Sequence, residues 1–429
     1  MPAIRQWMTC LSLMILFCGH GGLYSQSNAA ADTPIQRSDK LPATTPWDLA
    51  KLSEPPAMEW IEAEGPIRAL FYAGEAYRGK PTRVFAYYAT PGSLAGDPTL
   101  DRNLPAMVLI HGGGGTAFRE WAELWAKRGY AALAMDLAGS RPVEGTNAHA
   151  GENRVRLDDG GPAQGDDEKF GSIDSEPTEQ WSYHAVAAAI RAHSLIRSFP
   201  EVDAQRTAVT GISWGGYLTC IVAGLDDRFK AAVPVYGCGF LQDNSAWLGR
   251  FAQLTPEQRD RWVTLWDPSQ YLPAVSMPIL FVNGTNDFAY PLDSYQRSFN
   301  LVPGEKQLRV TVNLPHGHQA GWAPVEIGRF VDQNLTKGAP LPVVGEPQIA
   351  DGKVTMPITS SQTLKAAALH FTTDEKPINM REWKSVPGKV DAKQVVTDAP
   401  PENATAWFLT VTDEQDGVIS SHIMLRPAK

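Results

Sequence analysis

The chain has 429 residues, more than one domain usually holds, and its 43% hydrophobic and 20% charged side chains are values of an ordinary folded protein. Its 38 Lys and Arg against 47 Asp and Glu, a net charge of −9, argue against nucleic acid as a partner. No run outside the first thirty residues is apolar for long enough to cross a membrane.

Residues 1–30 carry Arg5, an apolar run from Trp7 to Cys18 and small or polar residues through Ser27, Asn28 and Ala29. That is the pattern of a secretory signal peptide cleaved near Ala29 or Ala30, with an apolar core too short for a membrane span. A lipoprotein anchor at Cys18 is disfavoured by bulky Phe17 before it. Cleavage would remove Cys10 and Cys18 and leave Cys220 and Cys238; the compartment allows these to pair without requiring it, and two buried thiols are expected. Residues 31–57, rich in Pro, Thr, Ala and Ser, read as an N-terminal arm.

A catalytic domain is predicted over 58–337. Ile67 to Ala73 and Arg83 to Thr90 are β-rich runs joined by Gly74 to Thr82, which contains Gly79 and Pro81, and they predict an antiparallel hairpin. Ala106 to Ile110 and Tyr130 to Met135 are short continuous apolar runs that suit strands buried on both faces, with a helix from Phe118 to Arg128 between them. Residues 139–177 interrupt this rhythm with a polar insertion containing Asp158, Asp159, Asp166, Asp167 and Glu168. It is expected to be a solvated loop leaning over the site, since its spacing is not that of an EF-hand calcium loop. A helix follows to Pro200, with one face turned to the sheet; His184 and His193 lie in it without a partner motif and read as structural.

The strand at Arg206 to Val209 leads into Thr-Gly-Ile-Ser-Trp-Gly-Gly, Thr210 to Gly216. This G-x-S-x-G pattern is a nucleophile elbow: a serine hydroxyl becomes reactive on a sharp strand-to-helix turn, and Gly211 and Gly215 let strand and helix approach closely. The elbow requires an upstream glycine-rich oxyanion segment, then an acid and a histidine after later strands. His111 to Gly115 follows a buried strand, so Gly112 and Gly113 are expected to donate to the oxyanion with the N–H of Trp214. After the strand Ala231 to Tyr236 comes a second insertion, 240–272, whose Trp247, Phe251, Trp262, Trp266 and Tyr271 could line an acyl or sugar pocket or form the cap's own core. Asp287 follows the strand Pro278 to Val282 and is the candidate orienting acid, better placed than Asn286 or Asp293. The strand Leu308 to Val312 leads to the candidate bases His316 and His318; the Gly317–His318 step favours His318. A histidine pair two apart could also hold a metal, but no third ligand is signalled nearby, and this chemistry needs neither metal nor cofactor. Residues 338–429 begin with a linker-like Gly-Ala-Pro-Leu-Pro and continue as β-rich stretches, read as a small sandwich.

The run Gly211-Ile-Ser-Trp-Gly-Gly-Tyr-Leu, the loop Asn283 to Pro291 and the segment Pro315-His-Gly-His318 together resemble the secreted α/β-hydrolases of the acetylxylan-esterase-like group, akin to dienelactone hydrolases and prolyl-oligopeptidase-type catalytic domains. The resemblance covers residues 60 to 337. It implies an α/β-hydrolase fold, a mostly parallel sheet with helices on both faces, followed here by the C-terminal all-β region. It also implies Ser213 as nucleophile, Asp287 as acid, His318 as base, and deacetylation of decorated polysaccharide. Two rival readings share these residues: a serine peptidase, against which the region before the first strand is too short for a β-propeller gate, and an inactive homologue that binds glycans.

Overall fold

The computed structural model describes residues 33–143, 153–391 and 393–426. The predicted signal peptide lies outside them, as do residues 144–152 of the first insertion. Strands β1 (Met58–Glu62), β2 (Arg68–Ala73) and β3 (Arg83–Ala89) are antiparallel, as the hairpin signal required. β4 (Leu104–Ile110) and β5 (Ala131–Met135) are parallel neighbours, and β3 pairs antiparallel with β5. A short ribbon of β6 (Ser140–Pro142) and β7 (Arg154–Arg156) opens the first insertion. β8 (Val202–Ile212), β9 (Ala231–Val235), β10 (Ile279–Gly284) and β11 (Lys306–Thr311) complete the parallel run, in the order β5, β4, β8, β9, β10, β11. Every residue of β4, β5, β9 and β10 is buried, because helices cover both faces and no polar side is needed.

The helix Trp181–Ser198 differs from its one-faced expectation: nearly all of its residues are buried. The reason is the arm, which packs over its outer side rather than trailing in solvent. Trp47 Nε1 donates to the Tyr183 carbonyl at 3.0 Å, Ser194 Oγ donates to the Leu52 carbonyl at 2.7 Å, and Ile35, Leu41 and Leu49 are buried.

The first insertion also departs from the solvated loop expected of it. Its one turn of π-helix, Asp167–Gly171, buries Lys169 and Phe170, and Phe170 stacks on Trp262 at 5.3 Å. Two of its acidic residues are paired with cations, Asp159 with Arg83 and Asp166 with Arg250. In the second insertion Phe251, Trp262, Trp266 and Tyr271 are core residues, whereas Trp247 is only half-buried. Cys220 and Cys238 are buried free thiols, both with their pKa raised by desolvation.

Beyond residue 337 the chain is β-rich, with strands Lys353–Thr359, Leu364–Thr372, Lys384–Val390, Gln394–Asp398, Ala406–Asp413 and Val418–Ser420. The last of these pairs with Ala406–Asp413 and, through Ser420, with Leu308 of β11, so the hydrolase sheet continues into this region. Among the described residues no helix is long and apolar enough to cross a membrane.

Candidate active site

Ser213 ends β8 and caps the helix Trp214–Leu225 with φ 58° and ψ −118°. A non-glycine residue here is strained by about 1–3 kcal/mol, held by what surrounds it. The Ser213 N–H donates to the Val235 carbonyl at 2.8 Å, and the glycines beside it have no room for a side chain. A Cβ on Gly215 would collide with the Ile110 carbonyl, and one on Gly211 with the Gly215 carbonyl. The elbow therefore presses the helix against β4 and leaves the Ser213 hydroxyl projecting from the carboxyl edge of the sheet.

His316 Nε2 lies 2.9 Å from Ser213 Oγ, and His316 Nδ1 lies 2.7 Å from Asp287 Oδ2. Since the carboxylate only accepts, Nδ1–H donates to it and Nε2 is left to accept from the serine. Asp287 is buried, and its Oδ1 accepts from the N–H groups of Ala289 and Tyr290 at 2.9 and 2.7 Å. The residue before His316 is tethered too: Tyr236 Oη donates to the Pro315 carbonyl at 2.7 Å, and the Tyr236 ring lies 4.6 Å from the imidazole.

His318, favoured by the Gly-His step, does not occupy that position. Its Nε2 accepts from the Gly112 N–H at 2.9 Å, and its ring packs 4.6 Å from Phe118. The chain is extended at Gly317 and turns into the helix His318–Trp322 at the next residue. That turn sends the two imidazoles to different partners. The same contact revises the expected oxyanion donors, because the Gly112 N–H is already committed. Gly113 remains: it lies against Trp214, where an added Cβ would come within 2.9 Å of the indole. The Trp214 N–H belongs to the first helical turn, which has no intrahelical acceptor.

His111 anchors the same loop. Its Nδ1 donates to the Gly112 carbonyl at 2.7 Å and its Nε2 accepts from the Leu137 N–H at 2.9 Å. Both nitrogens are thus satisfied only in the neutral ring, and burial lowers its pKa to about 3. Asp136 sits nearby, buried, accepting from Ala138, Ser140 and Thr116. Desolvation outweighs these bonds and raises its pKa to about 6.

Lys169 stands in no motif that would have marked it beforehand. Its ammonium lies 4.7 Å from the Trp214 ring and 5.6 Å from Trp181, supporting the indole next to the serine. Burial lowers its pKa to about 8, against the pull of Asp166. Tyr236 was equally invisible, since nothing in its surroundings in the chain says that its hydroxyl reaches a loop nearly eighty residues on. His184 and His193 are structural, the first bonded to the Thr178 carbonyl and the second to Asp226 and Thr207.

A serine on a strand-to-helix elbow, with acid and histidine on the loops after β10 and β11, on this sheet order, defines an α/β-hydrolase. Comparison with known proteins narrows the likeness. Residues 76–247 match the acetyl xylan esterase family, and residues 250–381 match the family described as PhoPQ-activated pathogenicity-related protein. The chain is 28% identical over 234 residues to an uncharacterized peptidase, YuxL, of Bacillus subtilis, covering 50% of this chain and 30% of that protein. It is 26% identical over 198 residues to the acetyl esterase Axe7A of Xylanibacter ruminicola, covering 44% of this chain and 43% of that protein. The chain thus spans less than half the length of either relative. Among solved structures, the acetyl xylan esterase of Paenibacillus sp. R4 superposes with a TM-score of 0.53 at 23% identity, over 72% of this chain and 99% of that one. The chain resembles acetyl xylan esterases and shares their fold.

Proposed function

We propose that the chain is a secreted serine esterase that removes acetyl groups from acylated carbohydrate through an acyl-enzyme. The observation that carries the reading is the unbroken chain of hydrogen bonds from Ser213 Oγ through His316 to buried Asp287, at the tip of an elbow whose geometry exposes the serine. The match to the acetyl xylan esterase family and the likeness to an acetyl esterase support the substrate class, and the leader-like residues 1–30 support secretion.

In this reading His316 takes the Ser213 proton as the oxygen attacks the acetyl carbonyl, and Asp287 holds the ring in the required tautomer and stabilises the imidazolium. The N–H groups of Gly113 and Trp214 receive the developing oxyanion, a contribution of about 3 kcal/mol for each donor. His316 then protonates the departing sugar oxygen, and water, activated by the same ring, releases acetate. His318 acts at one remove, pinning Gly112 so that the loop presents Gly113. No cofactor or metal enters these steps.

The test is a panel of p-nitrophenyl acetate, acetylated xylan and Xaa-Pro amides with the wild type and Ser213→Ala. Turnover of the acetyl esters, abolished in the variant with its thermal unfolding unchanged, is expected. Retained activity in Ser213→Ala would refute the assignment, and preference for the amides would favour the peptidase reading that the likeness to YuxL raises. Secretion is checked separately by sequencing the exported protein, whose N-terminus should begin near Ala30 or Ala31.

A further inference from the structure

Ser213 is linked through Trp214, Trp247, Tyr290 and His316 into a closed circuit of contacts, and one member of it, Trp247, belongs to none of the loops that carry the serine, the acid and the histidine. Trp214, next to the serine, meets Trp247 with ring centroids 4.5 Å apart. Trp247 meets Tyr290 at 5.2 Å, and Tyr290 lies parallel to His316 at 6.5 Å. His316 returns to Ser213 through its 2.9 Å hydrogen bond. Of the large aromatics in the second insertion, Trp262, Trp266 and Tyr271 are fully buried in the cap. Trp247, by contrast, is half-exposed beside the elbow.

Trp247 is also held in place. Its N–H donates to Ser245 Oγ at 3.1 Å, and the Ala246 N–H donates to the Ala289 carbonyl at 3.3 Å. Asn244 Nδ2 bonds both oxygens of Asp293 at 2.9 and 2.8 Å, and Ser294 Oγ donates to the Asn244 carbonyl at 2.9 Å. The segment carrying the indole is therefore fastened to the loop that carries Asp287 and to the helix after it. Moving the segment that carries the indole away from the site would break these bonds together.

We propose that Trp247 is the residue that limits acyl length, bridging the serine side and the histidine side of the site so that an acetyl group fits and longer chains do not. This rests on the esterase reading. A hydrophobic wall discriminates by about tenfold to two-hundredfold for each methylene group it excludes. The indole should therefore impose a steep fall in kcat/KM from acetate to butyrate to octanoate.

The experiment measures kcat/KM for p-nitrophenyl acetate, butyrate and octanoate with the wild type, Trp247→Leu and Trp247→Ala. Expected is a steep decline in the wild type and a rise of about tenfold or more in the octanoate-to-acetate ratio in the variants, larger for Ala than for Leu. The ratio is the readout because Trp247 also touches Trp214, and loss of that contact would lower turnover of every ester alike. An unchanged ratio in an active variant overturns the inference, as does a wild type that accepts octanoate as readily as acetate. Should Trp247→Ala fail to fold, the ratio in Trp247→Leu decides. A wild type inert toward esters of every length would instead overturn the esterase reading itself.

Discussion

His316 and His318 stand two residues apart, and the geometry assigns them effects of different size. His316 bonds Ser213 and Asp287, whereas His318 bonds the Gly112 N–H. On the proposed mechanism His316→Ala removes the general base, and kcat should fall by about four to six orders of magnitude. His318→Ala removes only a support of the oxyanion loop and should cost at most the roughly hundredfold to thousandfold in kcat of one oxyanion donor. Steady-state kinetics on p-nitrophenyl acetate separate the two, and equal losses would contradict these roles. His111 and Asp136 make opposed contributions to acid stability. The folded pKa of His111, about 3, lies below that of the free ring, so its contribution is present above about pH 6.5 and is lost as pH falls toward 3. The folded pKa of Asp136, about 6, lies above that of a free carboxyl, so its ionisation destabilises the fold and stability is regained as pH falls from about 6 to 4. Asp136→Asn deletes the second term and leaves the first. The variant should lose stability more steeply than the wild type between pH 6.5 and 4, by up to about 1.4 kcal/mol per pH unit, as read from urea unfolding at each pH. Parallel profiles would show that Asp136 does not titrate in this window.

The elbow is the element where local sequence and packing agree most closely. Gly211 and Gly215 are demanded by the approach of the Trp214–Leu225 helix to β4, where any Cβ meets backbone that cannot move aside. Gly215→Ala should therefore destabilise by roughly 3 kcal/mol or more, the scale of overpacking a rigid contact, and thermal denaturation would report it. Gly249, with open space around it, serves as the control. The buried parallel strands were equally legible, since an unbroken apolar run such as Ala106 to Ile110 has no polar side to present. The insertion at 139–177 leans over the elbow but is less solvated than its composition implies, for a physical reason. Its composition is that of a solvated loop, but one aromatic side chain, Phe170, finds a cavity between Trp214, Phe251 and Trp262 and draws Lys169 in with it. A single burial of this kind outweighs the average character of the residues around it.

At the scale of the whole molecule the C-terminal β-rich region covers the last edge of the hydrolase sheet. Ser420 Oγ accepts from the Val310 N–H at 2.9 Å, Glu326 Oε1 accepts from the Val418 N–H at 2.7 Å, and Gln296 Oε1 accepts from the Ile423 N–H at 2.7 Å. Arg329 and Asp413 form a paired contact, with Nη1 2.8 Å from Oδ1 and Asp413 buried. A chain ended at residue 337 would expose β11 as an open strand edge and strip partners from buried groups. Such a truncation should be aggregation-prone, and the full chain should unfold in one cooperative calorimetric transition. Two separate transitions would mean that the C-terminal region is energetically independent. Asp413→Ala, which leaves Arg329 without its partner, should cost about 3–5 kcal/mol.

The order of parts is written along the chain: a glycine-rich turn after one buried strand, a serine elbow after another, then an acid and a histidine pair after two more. Each of these signals is local, because steric demand at a turn and burial of a strand are written in adjacent residues. Which histidine reaches the serine, which glycine N–H is taken by an imidazole and which tryptophan of the second insertion packs on Trp214 were settled by the folded chain alone. Those outcomes depend on the direction in which the chain leaves Gly317, on the Tyr236 hydroxyl that holds Pro315, and on contacts between residues far apart in the chain. Side-chain direction at a loop is set by such distant contacts, and no neighbouring residue encodes it.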